Sequence, residues 1–262
     1  MPGPSRLDPV RGVVLDLDGT VYDDGGLIPG AAAAIAAIRG ARLGLRFATN
    51  TSRYPRGALI ERLRSLGVDA GLDEVITAPR VAAAWLSEHG MSRISVHVPV
   101  PTVEEFSAFQ IDERNPEAVV VGDLGDEWSV DRLNRVFRHV LGGARLLAVQ
   151  KNRFWRRGGA LCLDAGPFVA AIEYATDVTA VVAGKPSKQF FGAAASSLGM
   201  CPSALVVVGD DVRTDVDGAR AAGAQGVLVK TGKFRDADLD HPAATRNLVL
   251  ESVADLPSVL GV

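Results

Sequence analysis

The sequence is short of cysteine, of net charge and of long apolar runs, and each shortage removes a class of protein. Only Cys162 and Cys201 occur, with neither the CxxC spacing of a zinc site nor the density of a secreted disulfide scaffold. A reducing cytoplasm is therefore the expected compartment. The 28 basic and 31 acidic residues leave a formal charge of -3, which gives no global attraction to nucleic acid or to an anionic membrane. Any anionic ligand must then be met by a local site. No uninterrupted apolar run reaches membrane-spanning length, and Met1 to Arg11 lacks the apolar centre of a signal peptide. A soluble, unexported chain with no nucleic-acid or membrane partner is the expectation. Its 262 residues and 47% hydrophobic content are enough for one large folded domain or two modest ones.

What is present is an alternation of apolar runs and helical stretches. Gly12 to Leu17 is almost wholly apolar, as a parallel strand covered on both faces should be. Pro29-Gly30 then opens an alanine-rich helix to Arg39, stopped by Gly40. Strand Leu43 to Ala48 and helices Arg56 to Leu66 and Pro79 to His89 follow. Further strands are read at Ile94 to Val98, Ala118 to Val121 and Arg145 to Val149, with helices at Val130 to Leu141 and Gly166 to Ala175. The last third repeats the theme: strand Val178 to Ala183, helix Ser187 to Leu198, strand Ala204 to Val208, helix Val216 to Ala222 and strand Gly226 to Val229. Such alternation marks an α/β protein with a parallel sheet. There are more units than one compact sheet needs, so the reading is a larger domain formed by residues 1–78 and 183–262, with a smaller α/β domain of residues 79–182 inserted into it.

Four motifs carry chemistry. Asp16-Leu17-Asp18-Gly19-Thr20 closes the first strand at the carboxyl end, where open α/β sheets bind ligands. Gly19 permits the turn that lets both acids face the crevice, so that one carboxylate can attack while the other handles a proton. Gly209-Asp210-Asp211, with Asp215 and Asp217, follows another apolar strand. Acids gathered at a strand end call for a cation, and Mg²⁺ prefers hard oxygen ligands. Helix capping accounts equally well for Asp215 and Asp217. Lys185, in Gly184-Lys185-Pro186-Ser187, stands between a strand and a helix, where an ammonium can hold a phosphate. Thr49-Asn50-Thr51-Ser52 offers hydroxyls, an amide and N-H groups, all of them phosphate donors or, read plainly, an ST-turn.

Taken in order, the four motifs resemble the haloacid dehalogenase superfamily of phosphatases. The resemblance implies a Rossmann-like parallel-sheet core with an inserted smaller α/β cap, and Mg²⁺ as cofactor. It also implies an aspartyl-phosphate at Asp16, with Asp18 as general acid and then base. Thr49, Asn50, Ser52 and Lys185 fall on substrate-binding positions, and Asp16, Asp18 through its carbonyl, and Asp210 on the metal, with Asp211 and Asp215 standing behind these ligands. The wide separation of Ser52 from Lys185 places the insert where type-two caps sit. Gly166-Pro167-Phe168 with Glu173-Tyr174-Ala175, and Val229 to Phe234, are similar to the subgroup that includes the NagD-type bacterial phosphatases. The implied substrate is a small phosphorylated metabolite, a phosphoamide or pyrophosphate, and pairing as a homodimer through the cap is expected. Lys151 and Arg153, in the basic and aromatic stretch Lys151 to Arg157, are the candidates for specificity; a solvated hairpin with a packed Trp is the alternative there. The rival functions are carbon-halogen hydrolysis, which Asp18 argues against because a halide needs no proton, and a non-catalytic phospho-ligand-binding module. The four histidines have no metal-ligand spacing.

Overall fold

The computed structural model describes residues 7–157 and 160–262. The first six residues, and the side chains of Arg156 and Arg157 from the basic stretch, lie outside the described residues. The chain divides into two compact units. One comprises residues 1–49, 57–76 and 185–262, and the other residues 50–56 and 77–184. The main changeovers fall at 76/77 and 184/185, where the sequence reading has 78/79 and 182/183. Sequence reading did not anticipate that the short segment 50–56 groups with the insert.

The first unit is built on a six-stranded sheet in the order Leu248–Leu250, Gln225–Val229, Leu205–Gly209, Gly12–Asp16, Gly44–Thr49, Val75–Thr77. Gly12–Asp16 pairs in parallel with Leu205–Gly209 on one side and with Gly44–Thr49 on the other. All five residues of Gly12–Asp16 and of Leu205–Gly209 are buried, which explains their unbroken apolar character. From Gly12–Asp16 the chain first runs outward through Gly44–Thr49 to Val75–Thr77. It then returns to begin the other half at Leu205–Gly209. The carboxyl ends of Gly12–Asp16 and Leu205–Gly209 therefore flank the topological switch point, the place where such sheets open a crevice. Val13, Leu15, Phe47, Val206, Val208 and Val227 form one hydrophobic core with Ile35, Ile38, Leu59 and Leu63 of the covering helices.

The second unit has a five-stranded sheet in the order Val181–Val182, Arg145–Ala148, Ala118–Val121, Arg93–His97, Gln110–Ile111, with parallel pairings throughout. Helices Val130–Leu141 and Ala165–Thr176 cover it through Val136, Val140, Val169 and Ile172. The α/β expectation holds for both units. The misses are instructive. Val178 to Ala183 shrinks to the two-residue strand Val181–Val182, and the edge strands Val75–Thr77, Gln110–Ile111 and Leu248–Leu250 are too short to show a period. The helix expected from Val216 begins instead at Val212 as a single π-helical turn, Val212–Asp217, and continues as Gly218–Ala221. Phe154–Arg157 and Ala160–Leu163 form a separate antiparallel ribbon. Among the described residues no helix is long and apolar enough to cross a membrane.

Candidate active site

The first strand delivers Asp16 as its last residue, buried at the switch point. The chain then turns sharply. Gly19 has φ 89°, its N-H donates to the Tyr22 carbonyl at 2.7 Å, and the Val21 N-H reaches back to the Leu17 carbonyl at 2.9 Å. Asp18 is left exposed in this turn, and its carboxylate accepts the Thr49 hydroxyl at 3.4 Å. Thr49 is itself the last residue of the adjacent strand. Residues two apart share a face of an extended strand, but the strand ends at Asp16, so the turn at Gly19 sets where Asp18 is held.

Lys185 is buried and donates from Nζ to Asp16 Oδ1 at 2.5 Å and to Asp215 Oδ1 at 2.6 Å. Asp215 arrives from the π-helical turn, a local widening of the kind often found at functional sites. Asp210, one residue past the strand Leu205–Gly209, is 1% exposed. Its Oδ2 accepts the Lys233 backbone N-H at 2.6 Å, and its Oδ1 has no hydrogen-bond partner among the described residues. Gly19 and Gly232 flank this carboxylate with positive φ, and a Cβ on either would run into it. The Thr231 hydroxyl ties the two turns together by donating to the Gly19 carbonyl at 2.5 Å.

The charges are severely confined. Asp16, Asp210 and Asp215 each offer a carboxylate oxygen within 4.8 Å of the others. Burial raises the Asp16 carboxyl above its ordinary value, and the Lys185 ammonium holds the rise in check. Burial and then the Asp16 charge raise Asp210 well above the usual carboxylate range. Asp215 is pushed up to about 7 by burial, against the pull of Lys185. Burial also opposes the Lys185 charge, but Asp16 and Asp215 outweigh it and raise its pKa. Three buried carboxylates face the buried Lys185 ammonium and, from the exposed side, that of Lys233, which still leaves the cluster short of positive charge. A hard divalent cation fits this donor set, and the unpartnered Asp210 Oδ1 is the atom that most needs one.

Of the residues singled out from sequence, Asp16, Lys185 and Asp210 meet in this cluster, with Asp18 and Thr49 joined to each other in the same unit. Asp215, which the sequence left between capping and site, belongs to the cluster, whereas Asp211 caps the π-helical turn through the Arg213 and Thr214 N-H groups. Asn50 and Ser52 group with the second unit. There Asn50 donates to Asn152 at 3.4 Å, and the Ser52 hydroxyl accepts the Asp123 N-H at 2.9 Å. Lys151 is paired with Glu173 at 2.5 Å. Exposed Arg153 lines a surface cavity with Phe154, Leu163 and Pro167. Sequence reading assigned no site role to Thr231, Gly232 or Lys233. Their signal was a Thr-Gly pair one residue beyond the buried strand Gln225–Val229, at the same carboxyl edge of the sheet as Asp16.

A parallel sheet with a carboxylate and ammonium cluster at its switch point is the site of an α/β enzyme. A family model described as haloacid dehalogenase-like hydrolase matches residues 13–112, and a second, HAD-hydrolase-like, matches residues 182–256. The haloacid dehalogenase-like hydrolase domain-containing protein 2 of Bos taurus is 40% identical over 243 residues, 93% of each chain. The phospholysine phosphohistidine inorganic pyrophosphate phosphatase of Homo sapiens is 37% identical, across 99% of this chain and 97% of its own. Among solved structures, the 4-nitrophenylphosphatase of Thermotoga maritima aligns with a TM-score of 0.89 at 27% identity, covering 96% of this chain and 97% of that one. The chain belongs to the haloacid dehalogenase-like hydrolases.

Proposed function

We propose that the protein is a Mg²⁺-dependent phosphatase that acts on a small phosphorylated metabolite, a phosphoamide or pyrophosphate. The observation that carries this reading is the Asp16, Lys185 and Asp210 cluster at the switch point. A carboxylate oxygen of Asp16 attacks phosphorus, forming an acyl-phosphate bond as the bond to the leaving group breaks. Asp18, exposed beside Thr49, delivers its proton to the departing atom. It then takes a proton from the water whose oxygen attacks the same phosphorus, releasing inorganic phosphate and restoring Asp16. Lys185 offsets charge on the transferring group. Asp16 and Asp210, with the Asp18 main-chain carbonyl, are the residues we assign to the cation, which when bound supplies charge compensation to the phosphoryl oxygens. The names of the phosphatase relatives support the hydrolytic reading over a silent binding module.

Asp16→Asn should abolish turnover of 4-nitrophenyl phosphate while leaving the melting temperature near wild type, and EDTA should silence the wild type until Mg²⁺ is restored. Near-normal turnover by this variant would refute the nucleophile. Carbon-halogen hydrolysis is disfavoured by Asp18, since a halide leaves without a proton.

The second unit is our proposed substrate-selecting cap, with Arg153 and Lys151 as the residues that would meet the leaving group. Its ribbon places Phe154, Leu163 and Leu161 on one face by register, all of them exposed. No further strand pairs with this ribbon among the described residues. Two copies related by a two-fold axis can pack such faces against each other and cover these side chains. A homodimer through this ribbon is the assembly we propose.

A further inference from the structure

The segment after Thr49 is fastened side chain by side chain within the second unit. Asn50 is buried and donates to Asn152 Oδ1 at 3.4 Å. Ser52 is also buried. A Cβ at Gly122 would stand 3.1 Å from its Oγ, so the missing side chain at 122 makes room for it. The Ser52 carbonyl accepts the Thr102 hydroxyl at 2.8 Å, and its Oγ accepts the Asp123 N-H at 2.9 Å. Arg53 lies over the Trp155 ring, 3.7 Å from its centroid, and its Nε and Nη2 both reach Asp123 Oδ2 at 2.7 Å.

Asp123 therefore holds this turn twice, by its backbone at Ser52 and by its carboxylate at Arg53. It is 4% exposed, follows the strand Ala118–Val121, and is steadied in turn by the Gly125 N-H at 2.9 Å from its Oδ1. Charge-assisted contacts to a stacked guanidinium are among the stiffest a side chain can make. Asn50 is bonded directly to Thr49, which ends the strand neighbouring Asp16. Whatever fixes the turn also restrains the backbone on which a phosphate would be received.

We infer that Asp123 is a positioning residue for the reaction, acting through Ser52 and Arg53 on the Thr49 to Ser52 donors. The inference rests on the phosphatase reading above. Donors that grip the phosphoryl group equally in the ground and transition states supply uniform binding, so a loosened turn should weaken phosphate capture before it harms chemistry at Asp16.

The test uses the full chain with Mg²⁺, following 4-nitrophenyl phosphate turnover and its inhibition by inorganic phosphate. Asp123→Asn should raise both KM and the phosphate inhibition constant about tenfold, the worth of one hydrogen bond to a charged group, with kcat changed far less. Arg53→Lys, which keeps the charge but loses the two-point contact, should do the same. The double variant should be no worse than the poorer single one, because the two residues act as one unit. Loss of folded protein alone would lower apparent kcat and leave KM and the inhibition constant untouched; that pattern overturns the inference. Should Asp123→Asn fail to fold, Arg53→Lys and Ser52→Ala carry the same expectation, and wild-type constants in both overturn it. If the wild type has no turnover, the phosphatase reading fails. Calorimetric binding of inorganic phosphate then decides the positioning role: weaker binding in the variants upholds it, and unchanged or absent binding ends it.

Discussion

Asp210 concentrates the energetics of the site in a single side chain. Its carboxyl is buried beside Asp16, one oxygen is hydrogen-bonded to the Lys233 N-H, and the other has no hydrogen-bond partner among the described residues. A carboxylate whose folded pKa is raised opposes folding above its ordinary titration range, because the unfolded chain ionises more readily. Removing the charge while keeping the shape should therefore help the metal-free protein. Asp210→Asn is expected to melt higher than wild type in EDTA. It should also lose the stabilisation that Mg²⁺ gives the wild type, about 2.7 kcal/mol at a hundred times Kd for a ligand bound only to the folded state. Scanning calorimetry with and without Mg²⁺ measures both, and an equal Mg²⁺ response in the two proteins would remove Asp210 from the metal site. Asp215 differs in degree, since its 2.6 Å contact to Lys185 offsets part of its burial.

At the scale of elements, the strand Arg93–His97 shows how a sheet handles a buried polar row. Ser95 and His97 fall on the same face by the strand's two-residue period, and both are buried. The Ser95 hydroxyl meets His97 Nε2 at 2.9 Å and donates to Glu113 at 3.0 Å, and the His97 ring stacks with Trp128. Burial, helped by the charges of Arg132 and Arg135, lowers the His97 pKa to about 4. The unfolded chain takes up this proton near its ordinary value of 6.5, so the folded state loses stability as pH falls from there to about 4, and no further below it. The loss is about 3 kcal/mol. Urea titrations at pH 7 and pH 4.5 should show that His97→Gln flattens this part of the pH dependence; an identical slope in variant and wild type would exclude His97 as its source. The π-helical turn Val212–Asp217 teaches the complementary lesson. Its sequence reads as an ordinary capped helix start, and only its actual winding places Asp215 against Lys185.

At the scale of the whole molecule, two α/β units share one chain that crosses between them four times, at 49/50, 56/57, 76/77 and 184/185. The second unit carries the exposed apolar ribbon. If that ribbon joins two copies, Leu161→Glu combined with Leu163→Glu should convert a dimer to a monomer in sedimentation equilibrium. A wild-type chain that is already monomeric at micromolar concentration would sink the proposal.

The sequence by itself determined the parallel α/β architecture, because strands buried on both faces must be continuously apolar. It also located the acids at their carboxyl ends, because glycine and aspartate are poor residues for continuing a strand buried on both faces. Lys185 was legible for the same reason, as a charge at a strand-to-helix joint. Only the tertiary structure decided that Asp215 joins the cluster while Asp211 caps a turn, that Gly19 and Gly232 close on Asp210, and that Asn50 to Arg56 is held by the inserted unit. Those choices depend on contacts between residues up to 213 positions apart, and local pattern carries no record of which distant side chain a turn will meet.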